Sequence, residues 1–382
     1  MTPSGCVASL PFAVRFLRSD RREIGKSHPI WNERLPEHPA ARAAGGGAGG
    51  LRYGAYFESV RDVLLEDDGR VLAAAVGRQM GTAVQPTDLQ ALDICLEKHG
   101  AHYHPARLQV RCRDADVALM MSVAPSETGK QLLRRDFENL QRLGAADRWG
   151  FLPRAYHLFR AAETHTPAMM LGQWLDGFDE FHLSRKADDG GCALAVWAPE
   201  GPRQPTSQQS DAVYRGAAAL LTAFYNPLTF EQIGQWHHAA GDFVVAVDAN
   251  PPAVRLTTVR SYAPLLEGVP VTTQTVLQGL LLFLVSLTVR MRFDRLDGTG
   301  AAVLADSQTV FPTVEGFFEG LSLREAVESG LAGLAAGFGL YLSRHSESDL
   351  STLVTAVGDR IAPGTPGREL VAGRSGEHAA AL

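Results

Sequence analysis

Cysteine is scarce in this sequence. Cys6, Cys95, Cys112 and Cys192 are the only four among 382 residues, and no two of them form a Cys-x-x-Cys pair. They indicate neither a disulfide framework nor a zinc site, and they suit free thiols in a reducing compartment. Signature motifs of several chemistries are also missing. There is no Gly-x-Ser-x-Gly elbow, no Walker A loop and no dinucleotide-binding Gly-rich turn. Charge of one sign is not in large excess: the formal net charge is −6. A mildly acidic chain has no general electrostatic attraction to nucleic acid or to an anionic membrane surface, so neither partner is expected. Long hydrophobic runs are absent too. The most apolar stretch, Val276 to Val289, is about 14 residues long, short of the ~20 that span a bilayer. It runs into Arg290-Met291-Arg292 and reads as a buried core helix. Val7 to Phe16 is broken by Pro11 and Arg15 and makes no signal peptide. A cytoplasmic location is the expectation.

What is present is ordinary globular material, 45% hydrophobic and 20% charged, enough for one large or two modest domains. Residues 1–50 lack a sustained period and end in the glycine-rich run 42–50, so they read as a disordered tail and linker. Order is expected from Leu51. Tyr56–Leu65 carries a helical apolar stripe, and Thr87-Asp88-Leu89 is read as the start of a second helix. Arg107–Arg113 alternates with period two, and Val117–Ala124 is apolar enough for a central strand. A long helix is expected from Thr128 to Leu143, with Leu132, Leu133, Phe137, Leu140 and Leu143 on one face. Two more strands follow, Ala155–Phe159 and Ala168–Trp174. Beyond them the pattern is mainly helical, with a strand at Cys192–Trp197 and a short β pair at Phe243–Val247 and Val254–Val259. The tail beyond about Gly358 reads as loose.

Three local patterns fit this order of elements. Met169-Met170-Leu171-Gly172-Gln173-Trp174-Leu175-Asp176-Gly177 resembles a hinge strand, with Gln173 where a Glu is common. Arg135-Asp136-Phe137-Glu138-Asn139-Leu140 is similar to the helix whose acid pairs with an ATP-binding Lys. His238-Ala239-Ala240-Gly241-Asp242 resembles a His-Gly-Asp catalytic loop with two residues inserted. Over roughly residues 105–345 the layout resembles the protein-kinase-like superfamily, and the aminoglycoside and choline phosphotransferases within it. The resemblance implies an α+β, kinase-like two-lobe fold. Its parts would be a disordered tail over 1–50, a small antiparallel-sheet lobe over 51–175, a larger helical lobe over 176–345 and a loose tail over 346–382. It also implies site residues: Asp242 and His238 as catalytic, Gln173, Trp174, Glu138 and Thr258 against a nucleotide, and Glu180, His182 and Arg260 against a substrate.

The departures bear on chemistry. The strand that should supply the phosphate-binding Lys reads Leu119-Met120-Met121-Ser122. Val247 falls where a metal-binding Asn is usual, and Thr257-Thr258 where a second metal-binding Asp is usual. Phosphoryl transfer needs Mg²⁺, and Mg²⁺ needs hard oxygen ligands. The first expectation is therefore a pseudokinase-type binder of a small molecule or partner, with no cofactor assigned and no metal site. An active divergent phosphotransferase with Asp242 as base is the alternative; it would use ATP and Mg²⁺, with Asp248 or Asp294 as metal ligands. A His-dependent metalloenzyme built on His237 and His238 is a third. Two further clusters carry open readings. His99-Gly100-Ala101-His102-Tyr103-His104 is either a polar turn or a metal ligand set. Arg290-Met291-Arg292 is either a buried structural network or, with Arg255 and Arg260, an anion pocket.

Overall fold

Alternating apolar residues dominate the first half of the chain and helical stripes the second, and the observed elements follow that division. The computed structural model describes residues 12–36, 50–113, 115–160, 166–186, 191–234, 236–360 and 366–382. They are mixed α and β, with largely antiparallel sheets. The chain divides into two units. The first runs through residue 144 and adds Pro153–Asp176; the second comprises Ala145–Leu152 and Gly177–Leu382.

The first unit contains β1 (Ala13–Arg18), α1 (Tyr53–Leu65), α2 (Arg70–Met80), β2 (Leu89–Leu96), β3 (His104–Cys112), β4 (Ala115–Ala124), α3 (Glu127–Gly144), β5 (Ala155–Phe159) and β6 (Ala168–Gln173). Its strands make one sheet in the order β1-β2-β3-β4-β6-β5. β1 runs parallel to β2, and every other pairing is antiparallel. Leu92, Ile94, Leu108, Val110, Leu119 and Met121 pack with Tyr56, Phe57, Val60, Leu72 and Val76 in one core. At the start of α3 the Ser126 hydroxyl accepts the Gly129 N–H at 3.1 Å, satisfying a first-turn donor. The helix then packs on β4, β5 and β6.

Two expectations fail in this unit. Leu89–Leu96, read as a helix, is a strand. Its apolar residues suit either period, and pairing to β1 on one side and β3 on the other decides the matter. Residues 13–36, read as part of a disordered tail, hold β1, and Ile24, Trp31 and Leu35 are buried. Trp31 stacks on Phe57 with ring centroids 6.3 Å apart. The glycine-rich linker lies outside the described residues except for Gly50.

The second unit contains β7 (Asp179–Arg185), β8 (Cys192–Ala198), β9 (Gly201–Arg203), α4 (Ser207–Ala223), β10 (Glu231–Gly234), β11 (Phe243–Ala246), β12 (Ala253–Leu256), β13 (Ser261–Pro264), α5 (Thr273–Arg292), β14 (Phe293–Arg295) and β15 (Ala302–Leu304). It ends with α6 (Val310–Val327), α7 (Leu334–Leu342), α8 (Glu347–Asp359), α9 (Pro366–Ala372) and α10 (Ser375–Ala381). The expected β11–β12 pair belongs to a larger sheet, β12-β11-β7-β8-β9. α5 is long and apolar enough to cross a membrane, but 61% of its apolar window is buried inside the protein. Thr272 and Thr275 cap its start reciprocally, with N–H to Oγ1 distances of 2.9 and 3.2 Å. α4 and α6 touch backbone to backbone. A Cβ on Gly316 would overlap the Arg215 carbonyl oxygen, so this crossing requires glycine. The stretch beyond Gly358, read as loose, holds α9 and α10, with His378 buried. Residues 361–365 lie outside the described residues.

Candidate functional site

The loop from Trp236 to Phe243 lies in the second unit and feeds directly into β11. A 3-10 turn at His238–Ala240 tightens it: the Ala240 N–H donates to the His237 carbonyl at 3.1 Å and the Gly241 N–H to the His238 carbonyl at 2.9 Å. Gly241 then takes φ +66°, a left-handed turn that favours glycine, and sends the chain into the strand.

Asp242 sits at the end of this turn and is 1% exposed. Its Oδ2 accepts the His237 N–H at 2.9 Å and the Arg260 Nη1 at 3.0 Å. Arg260 Nη2 donates to Oδ1, completing a two-pronged ion pair. The backbone is braced at the same point: the Thr257 N–H donates to the Asp242 carbonyl at 2.9 Å, and the Thr257 hydroxyl to the Gly241 carbonyl at 2.8 Å. Thr258, the next residue, is nearly buried.

Both loop histidines are held neutral. Burial pushes His237 down to about 4, with the nearby Arg290 cation adding to the effect. Burial pushes His238 down to about 3, with His237 and His182 contributing, and the Met291 backbone does not offset it. The His238 ring is enclosed by aromatic rings, with centroids 5.3 Å from Phe181, 5.4 Å from Phe243 and 5.7 Å from Trp236. Arg290 lies over the Trp236 indole at 4.6 Å and donates to the Trp236 carbonyl at 2.9 Å.

His182 and Glu180 lie on β7. The segment is a strand, with β11 and β8 paired to it on either side. His182 is buried, with Nε2 3.7 Å from Glu180 and Nδ1 4.0 Å from Asp294. Asp294 is itself buried and accepts the Leu183 N–H at 2.8 Å and the Arg295 N–H at 2.7 Å. The space between His182, His238, Tyr214 and Asp294 leaves no room for a water-sized molecule. Asp248, the other carboxylate expected as a metal ligand, is exposed and paired to Arg203. Among the described residues, no group of three or more His, Cys, Asp or Glu side chains is arranged to hold a metal.

The structure thus gathers Asp242, His238, Thr258 and Arg260 around one loop, with His182 and Glu180 on the neighbouring strand. Arg260, assigned to a substrate by the sequence reading, instead spends its guanidinium on Asp242. The arginines of the alternative anion-pocket reading are also divided. Arg255 lies 4.7 Å from the Phe178 ring, and Arg292 points to the C-terminal helix, where it donates to Glu377 at 3.0 Å. In the first unit, Gln173 accepts the Arg154 N–H at 3.2 Å, and Trp174 is covered by Arg107 at 5.3 Å. Glu138, expected to be the pairing acid on α3, is exposed; the buried acid of that helix is Asp136, 1% exposed. Helical phase was the available signal, since Asp136 shares a face with Leu133 and Leu140.

No family model matches the sequence, and no curated protein or solved structure matches it.

Proposed function

We propose that the chain is a kinase-like protein of the phosphotransferase type that has given up phosphoryl transfer and binds a small molecule or a partner. The observation that carries this reading is the state of Asp242. A general base needs a lone pair within hydrogen-bonding reach of the substrate hydroxyl. Here Arg260 takes both carboxylate oxygens, the His237 N–H shares one of them, and the group is 1% exposed. The neighbouring chemistry agrees. Leu119–Ser122 on β4 contains no Lys, and Val247 and Thr257-Thr258 stand where oxygen ligands for Mg²⁺ would be needed. The Asp242–Arg260 pair then acts as a brace that fixes the loop on β11 and β12.

The reading is tested by thermal shift with ATP and with GTP, each with and without Mg²⁺. A ligand that binds only the folded state at 100 times its Kd stabilises it by about 2.7 kcal/mol. No Mg²⁺-dependent stabilisation is expected. Stabilisation by ATP that appears only when Mg²⁺ is added would overturn the reading in favour of an active phosphotransferase.

A further inference from the structure

The β2–β3 hairpin ends in His99-Gly100-Ala101-His102-Tyr103-His104. The Glu97 N–H donates to the Pro105 carbonyl and the Gly100 N–H to the Tyr103 carbonyl, each at 3.0 Å. The turn is therefore narrow, and a Cβ on Gly100 would stand 2.8 Å from the Tyr103 carbonyl oxygen. This closure brings residues 99 and 104 face to face. His99 Nδ1 lies 3.2 Å from His104 Nδ1. Two neutral imidazoles meet in this way by sharing one proton, with one nitrogen donating and the other accepting. The second nitrogen of His99, Nε2, lies 3.3 Å from the Tyr53 hydroxyl. When that hydroxyl accepts from Nε2–H, His99 Nδ1 is a lone pair aimed at His104.

We propose that this pair is a site for a borderline divalent transition metal, Cu²⁺, Ni²⁺ or Zn²⁺, bound by Nδ1 of His99 and Nδ1 of His104 with water in the remaining positions. Metal–imidazole bonds of about 2.0–2.1 Å drawn from two nitrogens 3.2 Å apart meet at an angle of about 100°. That angle suits cis positions in tetrahedral or tetragonal coordination, and imidazole is a preferred ligand of these ions. Binding displaces the shared proton from Nδ1 of His104 to Nε2 of the same ring: the metal aqua ion gains two metal–nitrogen bonds and loses two waters, and no net proton is released. No electron is transferred. Tyr53 orients His99 through its other nitrogen, the arrangement typical of metal-bound histidine. His99 is half-buried, which leaves water a way to the open positions. With only two protein nitrogens the site is exchangeable, and it stands or falls independently of the proposed function.

The test is titration of the tag-free, full-length protein with CuCl₂, NiCl₂ and ZnCl₂ in separate chelator-buffered series, together with the electron paramagnetic resonance spectrum of the Cu²⁺-loaded protein. One equivalent bound is expected, with hyperfine coupling from two nitrogens. His99→Asn should weaken binding at least tenfold, Tyr53→Phe by a smaller factor, and His102→Asn not at all. Should His104→Asn fail to fold, the half-buried His99→Asn variant carries the test alone. No binding by the unsubstituted protein, or unchanged affinity in folded His99→Asn, would overturn the proposal. Loss of binding in His102→Asn would overturn the assigned ligand pair.

Discussion

Two guanidinium–carboxylate pairs in the second unit are built in opposite senses. In the Asp242–Arg260 pair the acid is the deeper member: its side chain is 1% exposed against 15% for the arginine. In the Arg292–Glu377 pair the base is the deeper member, 2% exposed against 43% for the glutamate. The first pair ties a loop to the strand region that follows it. The second ties the C-terminal helix α10 to the end of α5. The difference shows which deletion strands a charge. Removing the outer partner leaves the inner one without its counter-charge in a poorly solvated place, and this costs far more than the pair itself contributes.

Arg260→Leu should have the largest effect. It leaves the Asp242 carboxylate buried without its guanidinium counter-charge, and should lower stability by on the order of 3–5 kcal/mol. Urea unfolding measures this; a loss under 1 kcal/mol would mean that the loop rearranges to hydrate the acid. Glu377→Gln should cost less, about 1–2 kcal/mol. Arg292 keeps two acceptors, the Ala305 carbonyl at 2.9 Å and His378 Nδ1 at 3.2 Å. A cost equal to that of Arg260→Leu would mean that these two neutral acceptors do not compensate the buried guanidinium.

Acid should act on the second pair through His378. Burial and the adjacent Arg292 push this ring down to about 4, from an ordinary value of 6.5. Below pH 6.5 the unfolded chain therefore binds a proton that the folded state refuses. The stabilisation is complete above 6.5 and is lost as pH falls toward 4, by up to about 1.4 kcal/mol per pH unit for one such group. His237 and His104, both near 4, act in the same direction. His378→Gln should remove one histidine's share of the slope between pH 6.5 and 4; an unchanged slope would contradict the burial of that ring in solution. The smallest effect belongs to a surface pair used as a reference. Asp248 and Arg203 are 71% and 46% exposed, and Asp248→Asn should change stability by less than about 0.5 kcal/mol. A larger loss would give Asp248 a role that its position does not explain.

What could be read from the sequence was local. The stripe on α3, the alternation in β3 and β4, and the length and depth of α5 all follow from side chains within one element. What could not be read depends on partners far along the chain. β1 meets β2 across more than seventy residues, Ala13 to Ala91, and no local pattern in Leu89–Leu96 says that it has neighbours on both sides. The same holds for β7, whose strand conformation is decided by its pairing with β8 and β11. The site shows the same limit. The position of Asp242 was legible from His238 to Gly241, but its engagement by Arg260 required knowing that the chain returns after β12. Arg292 was legible as a cation at a helix end; the helix that answers it, α10, lay in a stretch whose prolines and glycines suggested no structure.

The central claim is that Asp242 is a brace and not a base. ADP formation from ATP and Mg²⁺, measured for the unsubstituted protein and for Asp242→Asn that circular dichroism shows to be folded, tests it most directly. The account predicts that neither protein exceeds the protein-free control. ADP formation by the unsubstituted protein that Asp242→Asn abolishes would contradict it.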